Sequence, residues 1–143
     1  MTNRIHLITL GVGDMERSRA FYEALGWERA PYDMDEVTFY QAGDQVLGLY
    51  LQDMLDHDTG LGGAKPGGIT LAVNQTSRED VEAMLDKVVR AGGRVIAEPK
   101  EMPWGYVAYG ADPDGHPWEF SHVPTLVPDE NGALILPDTL GPE

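Results

Sequence analysis

Cysteine is absent from the 143 residues. Its absence excludes disulfides, thiolate metal ligands and thiol nucleophiles together. Positive charge is scarce: ten lysines and arginines stand against 24 aspartates and glutamates, for a formal net charge of −14 and a pI near 4.4. Such a balance opposes binding to phosphate backbones and anionic membranes, so neither nucleic acid nor a membrane is expected as a partner. No apolar run approaches the length of a membrane span. Met1 to His6 lead straight into an apolar strand with no signal-peptide core, and a cytoplasmic protein is expected. No H-E-x-x-H occurs, and Gly11-Val12-Gly13 lacks the third glycine and the βαβ setting of a dinucleotide site.

What is present reads as one ordinary globular domain, with 42% hydrophobic and 24% charged residues. The most informative stretch is Gly105 to Phe120, where aromatic and β-branched residues flank Asp112-Pro113-Asp114-Gly115. Proline presets φ and glycine tolerates positive φ, so this is a strand, a tight turn and a second strand. In the second strand Trp118, Glu119 and Phe120 alternate. If the two aromatics enter a core, the Glu119 carboxylate faces the other side of the sheet and becomes the first candidate for chemistry.

The first half of the chain contains the same plan. Leu7 to Val12 alternate with period two, and Asp14 caps a helix reaching about Leu25, with Gly26 as terminator. A short strand near Trp27 to Ala30 precedes two further strands, Val37 to Tyr40 and Val46 to Tyr50, joined by a turn at Ala42 to Gln45. Residues 53–67 are rich in glycine and charge without periodicity and read as a linker. Ile69-Thr70-Leu71-Ala72-Val73 then restates Ile8-Thr9-Leu10-Gly11-Val12 at an offset of 69 − 8 = 61 residues. A repeat means two copies of one unit. Its helix follows, capped by Ser77 with Asp80, carrying Val81, Met84, Leu85 and Val88 on one face and ending at Gly92. Arg94 to Ala97 and the hairpin complete the unit.

The expected fold is therefore α+β, two tandem βαβββ units (about 4–52 and 68–122) pairing their sheets around a shared cavity. The tail, 123–143, has a turn-like Glu130-Asn131-Gly132 before Ala133 to Leu136, which either adds a strand or covers the core edge.

The runs Ile8 to Trp27 and Asp112 to Phe120 resemble the vicinal oxygen chelate superfamily, which includes glyoxalase I, fosfomycin-resistance proteins, extradiol dioxygenases and bleomycin-resistance proteins. Trp104-Gly105-Tyr106 and the tail resemble a bacterial glyoxalase-like subgroup. The resemblance covers nearly the whole chain and implies a homodimer. It also implies metal ligands at four positions, which fall here on Leu7, Gly68, Glu119, and Gly48 or, one register along, Leu49. Only Glu119 carries a donor, and one carboxylate does not hold a divalent ion in such a site, so no metal or other cofactor is expected.

The histidines do not restore the set. His6 neighbours Leu7, but the alternation of Ile8 to Val12 fixes the face against it. His116 follows the turn glycine and reads as a hairpin hydrogen-bonding residue. His122 lies on the opposite strand face from Glu119, and His57 lies in the linker. Glu119 remains, as a general base or partner of a cation, or as a structural acceptor for neighbouring hydroxyls and amides. Tyr40, Tyr50, Trp104, Tyr106 and Tyr109 are the candidate cavity lining, with Thr9 and Asn74 as small polar anchors; Trp104, between Pro103 and Gly105, suits a pocket mouth. Two functions follow: a metal-independent binder of an aromatic or cationic small molecule, in the manner of bleomycin-type resistance proteins, or a lyase or isomerase type enzyme of the same superfamily using Glu119 as acid-base group or metal ligand.

Overall fold

The computed structural model describes residues 3–32 and 34–139. Residues 1–2 of the expected N-terminal segment and 140–143 of the expected tail lie outside the described residues. The elements run β1 (Leu7–Val12), α1 (Met15–Ala24), β2 (Val37–Ala42), β3 (Gln45–Leu51), α2 (Gln52–Thr59), β4 (Leu71–Asn74), α3 (Arg78–Arg90), β5 (Arg94–Met102), β6 (Gly105–Ala111) and β7 (Pro117–His122). They form two sheets, ordered β1-β3-β2 and β4-β7-β6-β5. In each, the first strand of the unit lies parallel to the last, β1 on β3 and β4 on β7, so the sequence repeat is a repeat of topology.

The helix starts obey their local signals. Asp14 accepts from the Arg17 amide and Ser77 from the Asp80 amide, each filling a donor that the first turn leaves open. Gly26 and Gly92, at φ 104° and 103°, let the chain turn off after each helix.

Four expectations are corrected. The strand near Trp27 to Ala30 is reduced to one bridge between Arg29 and Tyr40, at the place where β5 lies in the second unit; Pro31, which cannot donate, ends it. The linker contains α2, held by a Gln52 to Asp56 side-chain bond of 2.8 Å and ended by Gly60 in the left-handed region. β4 starts at Leu71 rather than Ile69, which is exposed. Ala133 to Leu136 form no strand, and the leucines and isoleucine there face solvent.

A single core spans both units. Ile8, Leu10, Val12, Leu47 and Leu49 from the first sheet meet Phe21 and Tyr22 of α1, and the same cluster continues through Val81, Leu85 and Val88 of α3 to Trp118 and Phe120 of β7. Tyr22 is the hinge of this packing, edge-on to Phe21 with ring centroids 4.9 Å apart and 5.9 Å from Trp118.

Its hydroxyl donates to Asp112 at 2.6 Å and accepts from the Trp118 indole at 3.1 Å. Asp112 is 1% exposed and also accepts from the amides of Asp114 and His116. Burial, reinforced by the Asp112 carboxylate, pushes the Tyr22 hydroxyl far above the ordinary tyrosine range, so it stays a donor. Next to it Asp114 reaches across to the start of α1, accepting from the Gly13 amide, Arg17 and the Ser18 hydroxyl at 2.9, 3.0 and 3.0 Å. The turn of the second unit thus docks on the helix of the first.

Tyr22→Phe should therefore cost about 2–4 kcal/mol, because it strands the buried Asp112 oxygen and the Trp118 N–H together. Ser18→Ala should cost about 1 kcal/mol. Urea denaturation would read both as a lower midpoint at unchanged slope; a Tyr22→Phe protein as stable as the parent would contradict this account.

Candidate functional site

β7 separates two environments by strand alternation. Trp118 and Phe120 are buried in the core, and Glu119 points the other way, half-buried. Directly opposite it on β6 is Tyr109. The Tyr109 hydroxyl donates to Glu119 Oε1 at 2.9 Å and the Ser121 hydroxyl donates to Oε2 at 3.1 Å. Each carboxylate oxygen is thus fixed by one hydroxyl, and among the described residues no cation forms an ion pair with it. The bond to Glu119, ahead of burial, raises the Tyr109 hydroxyl above its ordinary value. Such an oriented carboxylate can accept hydrogen bonds from a ligand cation or take up a proton.

The structure brings Tyr109 and Glu119 together, sets Trp104 and Tyr106 on one separate groove, and disperses the other candidates. Tyr40 stands opposite Leu47 on the core face of the first sheet, fully buried, with its hydroxyl on Glu23. Its alternation partner Phe39 takes the other face, and both border a cavity of about 400 Å³ with His6, Leu7 and Val46. Tyr106 packs towards α3, under the Arg78 guanidinium at 4.0 Å and bonded to Glu82. Tyr50 is bonded to Asp58 of α2, and Asn74 donates to the Leu126 carbonyl of the tail. Trp104 is 49% exposed on the β5–β6 turn and borders a groove of about 670 Å³ with Tyr106 and His122. Thr9 borders a cavity of about 310 Å³ at the joint between the units, with Gly68 and His116. Neither Glu119 nor Tyr109 borders these two cavities.

His116 does more than expected. Its amide closes the turn on Asp112, while its ring contacts the Gly11 carbonyl at 2.7 Å, so it ties the hairpin to β1. The hydrogen bond from Ser121, which strand alternation places on the face of Glu119, and the docking role of Asp112 and Asp114 were not singled out from sequence. For Ser121 the signal was available, since residues i and i+2 of a strand share a face. For the two aspartates it was not, because their partners lie about one hundred positions away.

The positions that the resemblance assigns to metal ligands are spread differently. Leu7 and Gly48 share the open face of the first sheet, where Leu7 Cδ1 and the Phe39 ring lie 3.4 Å from where a Gly48 side chain would begin. Gly68 is in the exposed loop before β4. Among the described residues no three His, Cys, Asp or Glu side chains stand close enough to hold an ion. This donor set does not fit a divalent centre.

A family model for the glyoxalase/bleomycin resistance protein/dioxygenase superfamily matches residues 4–120. The chain belongs to this superfamily. A glyoxalase-related enzyme from Fulvimarina pelagi is 33% identical over 94% of this chain and 99% of its own, with a TM-score of 0.87. A hypothetical protein from S. aureus is 27% identical over 85% and 95%, at 0.77. A lactoylglutathione lyase from Agrobacterium tumefaciens, 19% identical over 85% and 95%, at 0.65, shares the fold. No significant match was found among curated proteins.

A spectrophotometric titration should place Tyr109 above the ordinary tyrosine value of about 10. Because its folded-state pKa is raised, its contribution to stability is present below about pH 10 and is lost as pH rises through the folded value. Glu119→Gln should bring the Tyr109 titration down towards that ordinary value; an unchanged titration would show that the carboxylate does not hold the phenol.

Proposed function

We propose that this superfamily member is a metal-independent small-molecule-binding protein whose ligand, aromatic or cationic, is held at Glu119. One observation carries the reading: the carboxylate is held at both oxygens by the Tyr109 and Ser121 hydroxyls and turned away from the core, while Leu7, Gly48 and Gly68 offer no donor to complete a metal site. A carboxylate without a metal or an arginine partner is suited to an ammonium, amidinium or N–H-bearing aromatic group. The net charge of −14 favours the same sign of ligand.

The working form is a homodimer. Leu7, 48% exposed on the bare face of the first sheet, and Phe39 beside it make an apolar surface that a second copy would cover. A cytoplasmic location follows from the character of the sequence, and nucleic acid and membranes are not partners of so acidic a chain.

A second reading is supported by the 33% identity to a glyoxalase-related enzyme. In it Glu119 serves a lyase or isomerase type reaction as acid-base group or metal ligand. Equilibrium dialysis against Zn²⁺, Ni²⁺ and Mn²⁺ separates the two, with sub-stoichiometric metal expected. In parallel, a panel of aromatic amines screened by thermal shift should raise the melting temperature of the parent, and Glu119→Gln should weaken the best of them about tenfold, the loss of one charge-assisted hydrogen bond. One ion bound per chain, or a turnover that Glu119→Gln abolishes, would replace the first reading by the second.

A further inference from the structure

The largest aromatic concentration in the molecule is on the side of β7 that Glu119 does not face. Between the loop that follows α1 and the flank of α3 lies a cleft of about 580 Å³. Trp118 and Phe120 form its floor, Met84 of α3 one wall and Trp27 the other. The Trp27 and Trp118 rings are 6.0 Å apart at 59°. Trp118 spends its indole N–H on Tyr22, so it offers the cleft a ring face rather than a donor. Trp27 is half-buried, packed edge-on to Tyr40 at 6.3 Å, which holds it upright. The thioether of Met84 supplies a polarisable surface suited to a ring.

The rim sets the sign of what enters. Arg29 is engaged by both oxygens of Glu23, through Nε and Nη2 at 3.0 Å each, so its charge is already matched. Glu28, on the same rim, is exposed and forms no ion pair or side-chain hydrogen bond among the described residues. The mouth therefore carries one unmatched negative charge above an aromatic floor. Walls of this kind accept a flat apolar body, and Glu28 accepts its N–H or ammonium.

We propose that this cleft is a second binding site, distinct from the Glu119 face, for a planar bicyclic aromatic cation or N–H donor of about the size of an aminoquinoline. The ring enters between Trp27 and Met84, and the amine stays at the rim against Glu28. The cleft is bounded by both units, so an occupant also ties the loop after α1 to α3.

The test uses the full chain and two probes of equal size and opposite charge, 4-aminoquinoline and 2-naphthoate. In a titration followed by the three indole N–H resonances in a nitrogen-proton correlation spectrum, 4-aminoquinoline should move Trp27 and Trp118 and leave Trp104 in place. 2-Naphthoate should bind at least tenfold more weakly. Glu28→Arg, a surface change with no fold to break, should reverse that preference, and Trp27→Ala should weaken both probes about tenfold. Glu119→Gln should leave the cleft titration unchanged, which keeps this site separable from the one at Glu119. The proposal is overturned if the Trp104 resonance moves instead, if both probes bind equally, if Glu28→Arg has no effect, or if Glu119→Gln removes the response.

Discussion

The fold depends on one buried carboxylate. Asp112 lies in the turn of the second unit, yet its Oδ2 is the acceptor for Tyr22 of the first, and Tyr22 in turn receives the indole of Trp118. Without that acceptor the phenol would be a buried donor with no partner, in the middle of the aromatic cluster that both units share. The adjoining Asp114 extends the join to Gly13, Arg17 and Ser18. The geometry therefore explains why a stretch that reads as a hairpin turn carries two aspartates: one shapes the turn and receives Tyr22, and the other is an acceptor for a helix from elsewhere in the chain.

The same hairpin distributes chemistry between two faces. Because Trp118 and Phe120 are committed to the core, Glu119 and Ser121 share the opposite face, and antiparallel register sets Tyr109 against Glu119. Leu7, Gly48 and Gly68 carry no donor side chain, and the groups that share a face beside Glu119 are the hydroxyls of Tyr109 and Ser121. What the superfamily fold supplies here is a rigid platform for one carboxylate. The core side of the strand, with its two tryptophans at the joint between units, offers a differently shaped opportunity on the other side of the same residues.

Much of this was legible in the sequence, for identifiable reasons. The repeat of Ile8 to Val12 at Ile69 to Val73 exposed the duplicated plan, and the caps at Asp14 and Ser77 located both helices that pack on the sheets, because these signals are local. The helix Gln52–Thr59 was hidden because only Leu51, Leu55 and the Gln52–Asp56 pair mark it, amid residues that usually form loops. The face of Tyr40 is not legible in the sequence, since an aromatic in a hairpin has no label for its face; the register against Leu47 sets it. The short strand after α1 shrinks to the single bridge at Arg29 because Pro31, which cannot donate, follows Ala30. Contacts such as Asp114 with Gly13 carry no sequence signal at all, being set by how the two units meet.

That last contact bears on the order in which the chain acquires structure. The amide of Gly13 and the carboxylate of Asp114 are 101 positions apart. During synthesis the residues of α1 are therefore made long before the acceptor that secures the helix entry, and Tyr22 long before its carboxylate. A long-range closure of this kind comes late and links events in one half to events in the other. The two units, although they repeat one another, are not independent lodgers in the chain: the hydrogen bonds that hold the entry of α1 and the Tyr22 hydroxyl are complete only when the second half's turn is in place.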